Sequence, residues 1–116
     1  MGLTHFDEHG NSRMVDVSDK DITKRIAIAK GKIQVGEEVM KHILEGSVEK
    51  GDVLGVARVA GIMATKKTSE LIPMCHPLMI NGSDVYFNVN QEESYIEAEV
   101  HVKTTGKTGV EMEALT

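Results

Sequence analysis

Between Val85 and Lys103 the chain carries two runs of strict alternation, and no other feature restricts its fold as much. Val85, Phe87 and Val89 alternate with Tyr86, Asn88 and Asn90; Ile96, Ala98, Val100 and Val102 alternate with Glu97, Glu99, His101 and Lys103. A period of two is that of a strand, so each run presents one apolar and one polar face. The polar stretch from Asn90 to Ser94 turns the chain between them. This predicts an antiparallel hairpin with one buried and one wet face.

The remaining elements follow from periodicity and punctuation. From Arg25 to Val35 apolar and polar residues alternate, and Gly31 falls inside the run, which predicts a strand interrupted by a bulge or turn. Gly36 opens a helix whose Val39, Met40, Ile43 and Leu44 share one face, and Gly46 ends it. Asp52 is the N-cap of a second helix in which Val53, Leu54, Val56, Ala57, Ala60, Met63 and Ala64 are apolar at helical intervals. Gly55 and Gly61 cost that helix about 1 kcal/mol each relative to Ala. Its small residues predict close packing against another element. Pro73 and Pro77 forbid a continuous helix over 68–77, which reads as a shaped loop. Thr108-Gly109-Val110-Glu111 has the form of a capping box, with Val110, Met112, Ala114 and Leu115 beginning a helix.

These elements occupy 116 residues, enough for one domain and too few for two ordinary ones. Residues 1–24 read as an extended arm with a short strand at Met14-Val15-Asp16-Val17. A hydrophobic fraction of 41% is near the globular norm and argues against a disordered chain. Thirteen Lys and Arg against eighteen Asp and Glu give a net charge of −5, so an anionic ligand must meet a local basic cluster. Aromatic residues are 3% with no Trp, which argues against a nucleic-acid partner. A single Cys builds neither an internal disulfide nor a Cys-rich zinc site, and a cytoplasmic location is expected. The N-terminus has no basic and apolar leader, and no apolar run approaches membrane-spanning length; neither export nor a membrane partner is expected.

Candidate chemistry lies in three places. Arg25, Lys50, Arg58, Lys66, Lys67, Lys103 and Lys107 stand near predicted element ends, several beside glycines. Such cations and free backbone N–H groups suit phosphates; singly each reads first as a solvated side chain, and only together are Lys50-Gly51, Lys66-Lys67 and Lys107-Thr108-Gly109 suggestive. No Walker motif is present. His76 follows Cys75 in the proline-bracketed turn, as an acid or base near neutral pH or as a residue that fills the turn. Cys75 reads as a small buried hydrophobe before a nucleophile. His5, His9, His42, His76 and His101 lack metal-site spacing, so no metal is expected. Glu111 and Glu113 point apart in a helix and together in an extended stretch; a capping role explains Glu111 and leaves Glu113 unexplained.

Together these residues resemble the cyclic pyranopterin monophosphate synthase family, the molybdenum cofactor biosynthesis protein C family. The matching strings are Leu3-Thr4-His5-Phe6, Met14-Val15-Asp16-Val17-Ser18, Lys50-Gly51-Asp52-Val53, Ala57-Arg58-Val59-Ala60-Gly61-Ile62, Leu71-Ile72-Pro73-Met74-Cys75-His76-Pro77-Leu78 and the run from Thr105 to Thr116. They span the chain in family order.

The resemblance implies a ferredoxin-like α+β fold, an antiparallel sheet with helices packed on one face, assembled as a hexamer of dimers with sites at the dimer interface. It implies conversion of a cyclic dihydro-GTP derivative to cyclic pyranopterin monophosphate and pyrophosphate, with no redox cofactor. By resemblance, His76, Lys50 and Lys66 are catalytic. Met74, Cys75 and His76 form one wall of the substrate site, and Met112 with Glu113 another. Glu111 and Glu113 hold the guanine-derived ring, while Arg25, Lys50, Lys66 and Lys67 bind the triphosphate; Asp16 matches an acidic position nearby.

In the family the last helix continues into a segment with an aspartate and a lysine, so the resemblance also implies that this sequence stops within that helix. Two alternatives stay open at this stage. One is a catalytically incomplete nucleotide-binding or assembly module of the same fold, and the other an oligomeric small-molecule sensor.

Overall fold

The computed structural model describes residues 22–46 and 52–116. Residues 1–21 of the proposed arm, with the Met14 to Val17 strand and Asp16, and Lys50 therefore lie outside the described residues, while Thr23 and Lys24, expected in the arm, belong to the first strand, where they pair with Gly106 and Thr105. Within them the order is β1 (Thr23–Gln34), α1 (Gly36–Glu45), α2 (Val53–Thr65), α3 (Thr68–Leu71), β2 (Gly82–Asn90), β3 (Tyr95–Gly106) and α4 (Glu111–Leu115).

The expected hairpin is present. β2 pairs antiparallel with β3 from Gly82 opposite Lys103 to Asn90 opposite Tyr95. β1 lies on the other side of β3, also antiparallel, giving the sheet order β1-β3-β2. β1 and β2 thus run parallel with β3 between them, the split βαβ arrangement of ferredoxin-like folds. The chain is α+β, with α2 against β2 and α4 against β1 and β3.

Three expectations need correction. β1 runs unbroken for 12 residues and in constant register through Gly31, which sits opposite Ala98 with no bulge. Glycine in a strand permits a bulge without forcing one, and pairing along the whole of β3 outweighs its weak strand preference. Residues 68–71 form one helical turn, α3, where a loop was expected. Pro73 restricts Ile72 alone, and Ile72 is indeed extended at φ −112° and ψ 116°. Third, α4 starts at Glu111 with Val110 in the N-cap position and no side-chain cap, so Thr108 and Glu111 form no capping box.

Other local expectations hold. The Asp52 carboxylate accepts a hydrogen bond from the Gly55 N–H at 3.1 Å and caps α2. Gly46 ends α1 in the left-handed conformation at φ 66°, where glycine has no Cβ to strain. The face of α1 is only partly covered: Met40 is buried, whereas Val39 and Leu44 remain 48% exposed.

The core follows from the alternation. Ala27 and Ala29 of β1 and Val100 and Val102 of β3 face Val110 and Ala114 at the start of α4, with Leu78 and Ile80 closing the side. Val102 and Val110 are fully buried, each contributing roughly 2 kcal/mol of apolar burial. Small residues let the layers approach closely; a Cβ on Gly61 would stand 3.1 Å from a Val85 methyl. On the opposite face Glu99 bridges Lys30 at 3.2 Å and His101 at 2.6 Å, with Tyr86 edge-on to the imidazole.

Candidate active site

Lys66, His76 and Glu113 meet at one small cleft of about 60 Å³, lined also by Thr65, Thr68, Ser69, Pro77 and Leu78. Three separate segments supply them, and each is placed by local chemistry. Lys66 is the residue on which α2 ends, its N–H donating to the Met63 carbonyl at 3.1 Å. That bond fixes the backbone and leaves the ammonium exposed. His76 sits on the stretch after Pro73. There Met74 occupies the left-handed region at φ 69°, a conformation a non-glycine residue holds only when its surroundings impose it. Leu78 and Ile80 then bury against the core and anchor the loop. Glu113 comes from α4, whose Val110 and Ala114 are core residues.

Glu113 is only 4% exposed. Burial pushes its carboxyl pKa up, its own backbone N–H partly offsets this, and the neighbouring Glu111 adds to the rise. Such a carboxyl holds its proton at higher pH than a solvated one and suits general acid–base work. Cys75 is also raised, first by burial and then by the charge of Glu113. That direction disfavours the thiolate a nucleophile needs, and the side chain is half-buried.

The other candidates are distributed around this centre. Met112 is 38% exposed on the first turn of α4, and Met74 is 40% exposed beside Cys75. Lys67 adjoins Lys66 and makes an exposed ion pair with Glu70 at 3.7 Å, an interaction worth little in water, so its ammonium is available to an anion. Glu111 and Glu113 lie on different sides of the helix: Glu113 lines the cleft, while the exposed Glu111 folds its carboxylate back over Gly109. Arg25 lies on β1 opposite Thr104, its Nε donating to the Gly106 carbonyl at 3.5 Å, and is not among the cleft residues. Arg58 serves the sheet, donating to the Val85 carbonyl at 3.0 Å and lying over the Phe87 ring.

Two residues of the cleft, Thr65 and Thr68, were not singled out from the sequence. A T-x-x-T spacing at the end of a helix places two hydroxyls on one side, and that was the available signal. Among the described residues no group of three His, Cys, Asp or Glu side chains is arranged to hold a metal ion. No helix among them is long and apolar enough to cross a membrane.

The class these observations define is an α+β chain with a three-stranded antiparallel sheet and a cation, an imidazole and a buried carboxyl around one cleft, groups suited to acid–base work. Within that class the sequence pattern of the MoaC family matches residues 14–116, and the chain belongs to that family. Similar proteins include the cyclic pyranopterin monophosphate synthase of Pelotomaculum thermopropionicum, 59% identical over 99% of this chain and 68% of that one. Those of Thermoanaerobacter sp. strain X514 and Heliobacterium modesticaldum are 60% and 56% identical, over 100% and 98% of this chain and 73% and 72% of theirs.

Proposed function

We propose that the chain is a cyclic pyranopterin monophosphate synthase of molybdenum cofactor biosynthesis, a lyase that turns (8S)-3′,8-cyclo-7,8-dihydroguanosine 5′-triphosphate into cyclic pyranopterin monophosphate and pyrophosphate. The observation that carries this reading is the convergence of Lys66, His76 and Glu113 at one cleft in a chain of this family. The alternative of a non-catalytic module is not favoured, since the relatives bear the name of the synthase.

The reaction opens the substrate ring, closes a pterin and forms a cyclic phosphate. In the last of these a ribose hydroxyl oxygen bonds to the α-phosphorus, its proton passes to a base, and the bond to the β-phosphate breaks with pyrophosphate taking the electron pair. Glu113 and His76 are the proton-handling groups beside the base and ribose. Lys66 and Lys67, with Lys50 and Arg25, neutralise the triphosphate, where clustered cations offset the overall negative charge. Met74, Cys75 and Met112 form the walls, Glu111 lies at the edge of the ring-binding side, and Asp16 is an acidic group near it.

The working unit is a cytoplasmic homo-oligomer, a hexamer built from dimers with sites shared across the dimer interface. Two features support the sharing. A cleft of about 60 Å³ is far below the roughly 300–1,000 Å³ of a pocket that encloses a small molecule, so further walls must come from elsewhere. The outward side of α2 is also apolar, with Val56, Val59 and Met63 each more than half exposed.

Incubating the purified protein with the cyclic triphosphate and following pyrophosphate is the direct test. One pyrophosphate per pterin formed is the expected outcome, and binding by calorimetry without release would refute the synthase. His76→Ala is expected to lower kcat about 100-fold with the association state unchanged. A wild-type rate in that variant would remove His76 from the mechanism.

A further inference from the structure

A line of hydroxyl groups runs beneath the cleft. Thr65 Oγ1 lies 2.7 Å from the Ile62 carbonyl and 3.0 Å from Ser83 Oγ of β2. Thr68 Oγ1 lies 3.3 Å from the Thr65 carbonyl and 3.1 Å from Thr116 Oγ1. Thr116 Oγ1 in turn is 2.6 Å from the Met112 carbonyl. Each hydroxyl has one proton to donate. A carbonyl only accepts, so Thr68 gives its proton to the Thr65 carbonyl and accepts that of Thr116, while the Met112 carbonyl is served by the Thr116 N–H at 2.9 Å; in the same way Thr65 donates to Ile62 and receives from Ser83. Thr68 Oγ1 therefore links the end of α2 to Thr116, the residue after α4, through one hydrogen bond given and one received.

Its position makes the tie consequential. Thr65 and Thr68 are each 2% exposed, where a hydrogen bond meets little competition from water. α3 has four residues, too short to hold its place by helix formation alone. Lys66 follows Thr65, and Glu113 follows Met112, so the two ends of the bridge each adjoin a residue of the cleft. We propose that Thr68 is a positioning residue of the synthase, whose hydroxyl bridge between α2 and α4 sets Lys66 against Glu113. The proposal rests on the active-site reading above.

Steady-state pyrophosphate release from the cyclic triphosphate tests it with an isosteric pair. Thr68→Val removes the hydroxyl and keeps the volume; kcat is expected to fall about tenfold with KM held within about twofold, since misplacement of bound groups taxes the chemical step more than binding. Thr68→Ser, which keeps the hydroxyl, is expected to recover most of the rate. A Val variant as fast as wild type, or a Ser variant as slow as Val, overturns the proposal. Should Thr68→Val fail to fold, Thr116→Ala breaks the same bridge from its exposed end: the same kcat loss supports the proposal and an unchanged kcat overturns it. Glu113→Gln in the same assay separates the two levels. If Glu113→Gln is impaired and Thr68→Val is not, only the positioning role fails; if Glu113→Gln turns over normally, the reading of the cleft fails.

Discussion

Glu113 carries its charge at a cost, and its thermodynamics give the most direct check on the cleft. Its folded-state pKa is raised by burial and by Glu111. The native state therefore binds this proton more tightly than the unfolded chain does, and stability falls as pH rises from the unfolded carboxyl pKa of about 4.3 through the raised native one. Glu113→Gln removes the charge and keeps the shape. Its stability by chemical denaturation is expected to match wild type near pH 3.5 and to exceed it at pH 8, while turnover is lost. A stability gap independent of pH would mean that Glu113 is solvated. At this scale the sequence was partly legible. The doublet of Glu111 and Glu113 was visible, yet which carboxylate enters the site depends on whether the backbone there is helical, and the short α4 lies below the length that periodicity resolves. Thr68 was invisible because its partners, Thr65 and Thr116, belong to α2 and to the chain beyond α4.

The elements that alternate or cap clearly were legible, since the signal and the stabilising interaction are the same residues. β2, β3 and α2 fall where periodicity and Asp52 place them. β1 and α3 were misjudged because a local breaker was weighed without its tertiary partners: β3 for Gly31, and the Thr68 bonds for the turn before Pro73. Gly61 shows the converse, a helix glycine explained only by what lies across from it. Ala would gain about 1 kcal/mol of helix propensity there, but its Cβ would meet Val85 at 3.1 Å on a β-branched side chain with little freedom to move. Gly61→Val adds two further methyl groups to that contact and is expected to cost about 2–3 kcal/mol, lowering the midpoint of thermal unfolding by roughly 10 °C or more. A midpoint within a degree or two of wild type would mean that α2 and β2 are not in close contact.

For the molecule as a whole, shape and surface agree. The radius of gyration is 17.7 Å, against about 13 Å for a compact domain of this length. Strands of 12 residues in β1 and β3 extend beyond the helices that cover them. Ile33 of β1 is left 63% exposed although its neighbour in register, Ile96, is buried. α2 is apolar on both sides: one packs on β2, and the other presents Val56, Val59 and Met63, at i, i+3 and i+7, to the outside. A helix of that kind is stable when both sides are buried. Its periodicity reads equally well as a core helix, so the sequence shows that α2 is apolar and is silent on which protein covers its second side. A second copy of the chain is the occupant in the reading given above, and light scattering with chromatography decides it. Wild-type protein is expected to elute at a multiple of the chain mass. Val59→Glu places a charge in the middle of the apolar stripe, where leaving it buried and unpaired costs about 2–5 kcal/mol, and is expected to shift the population toward single chains. In the shared-site reading, where the small cleft among the described residues is one part of the site, that shift is expected to take pyrophosphate release down with it even though Val59 is not among the cleft residues. A Val59→Glu protein that dissociates yet retains its activity would refute the shared site and leave association as a matter of stability alone.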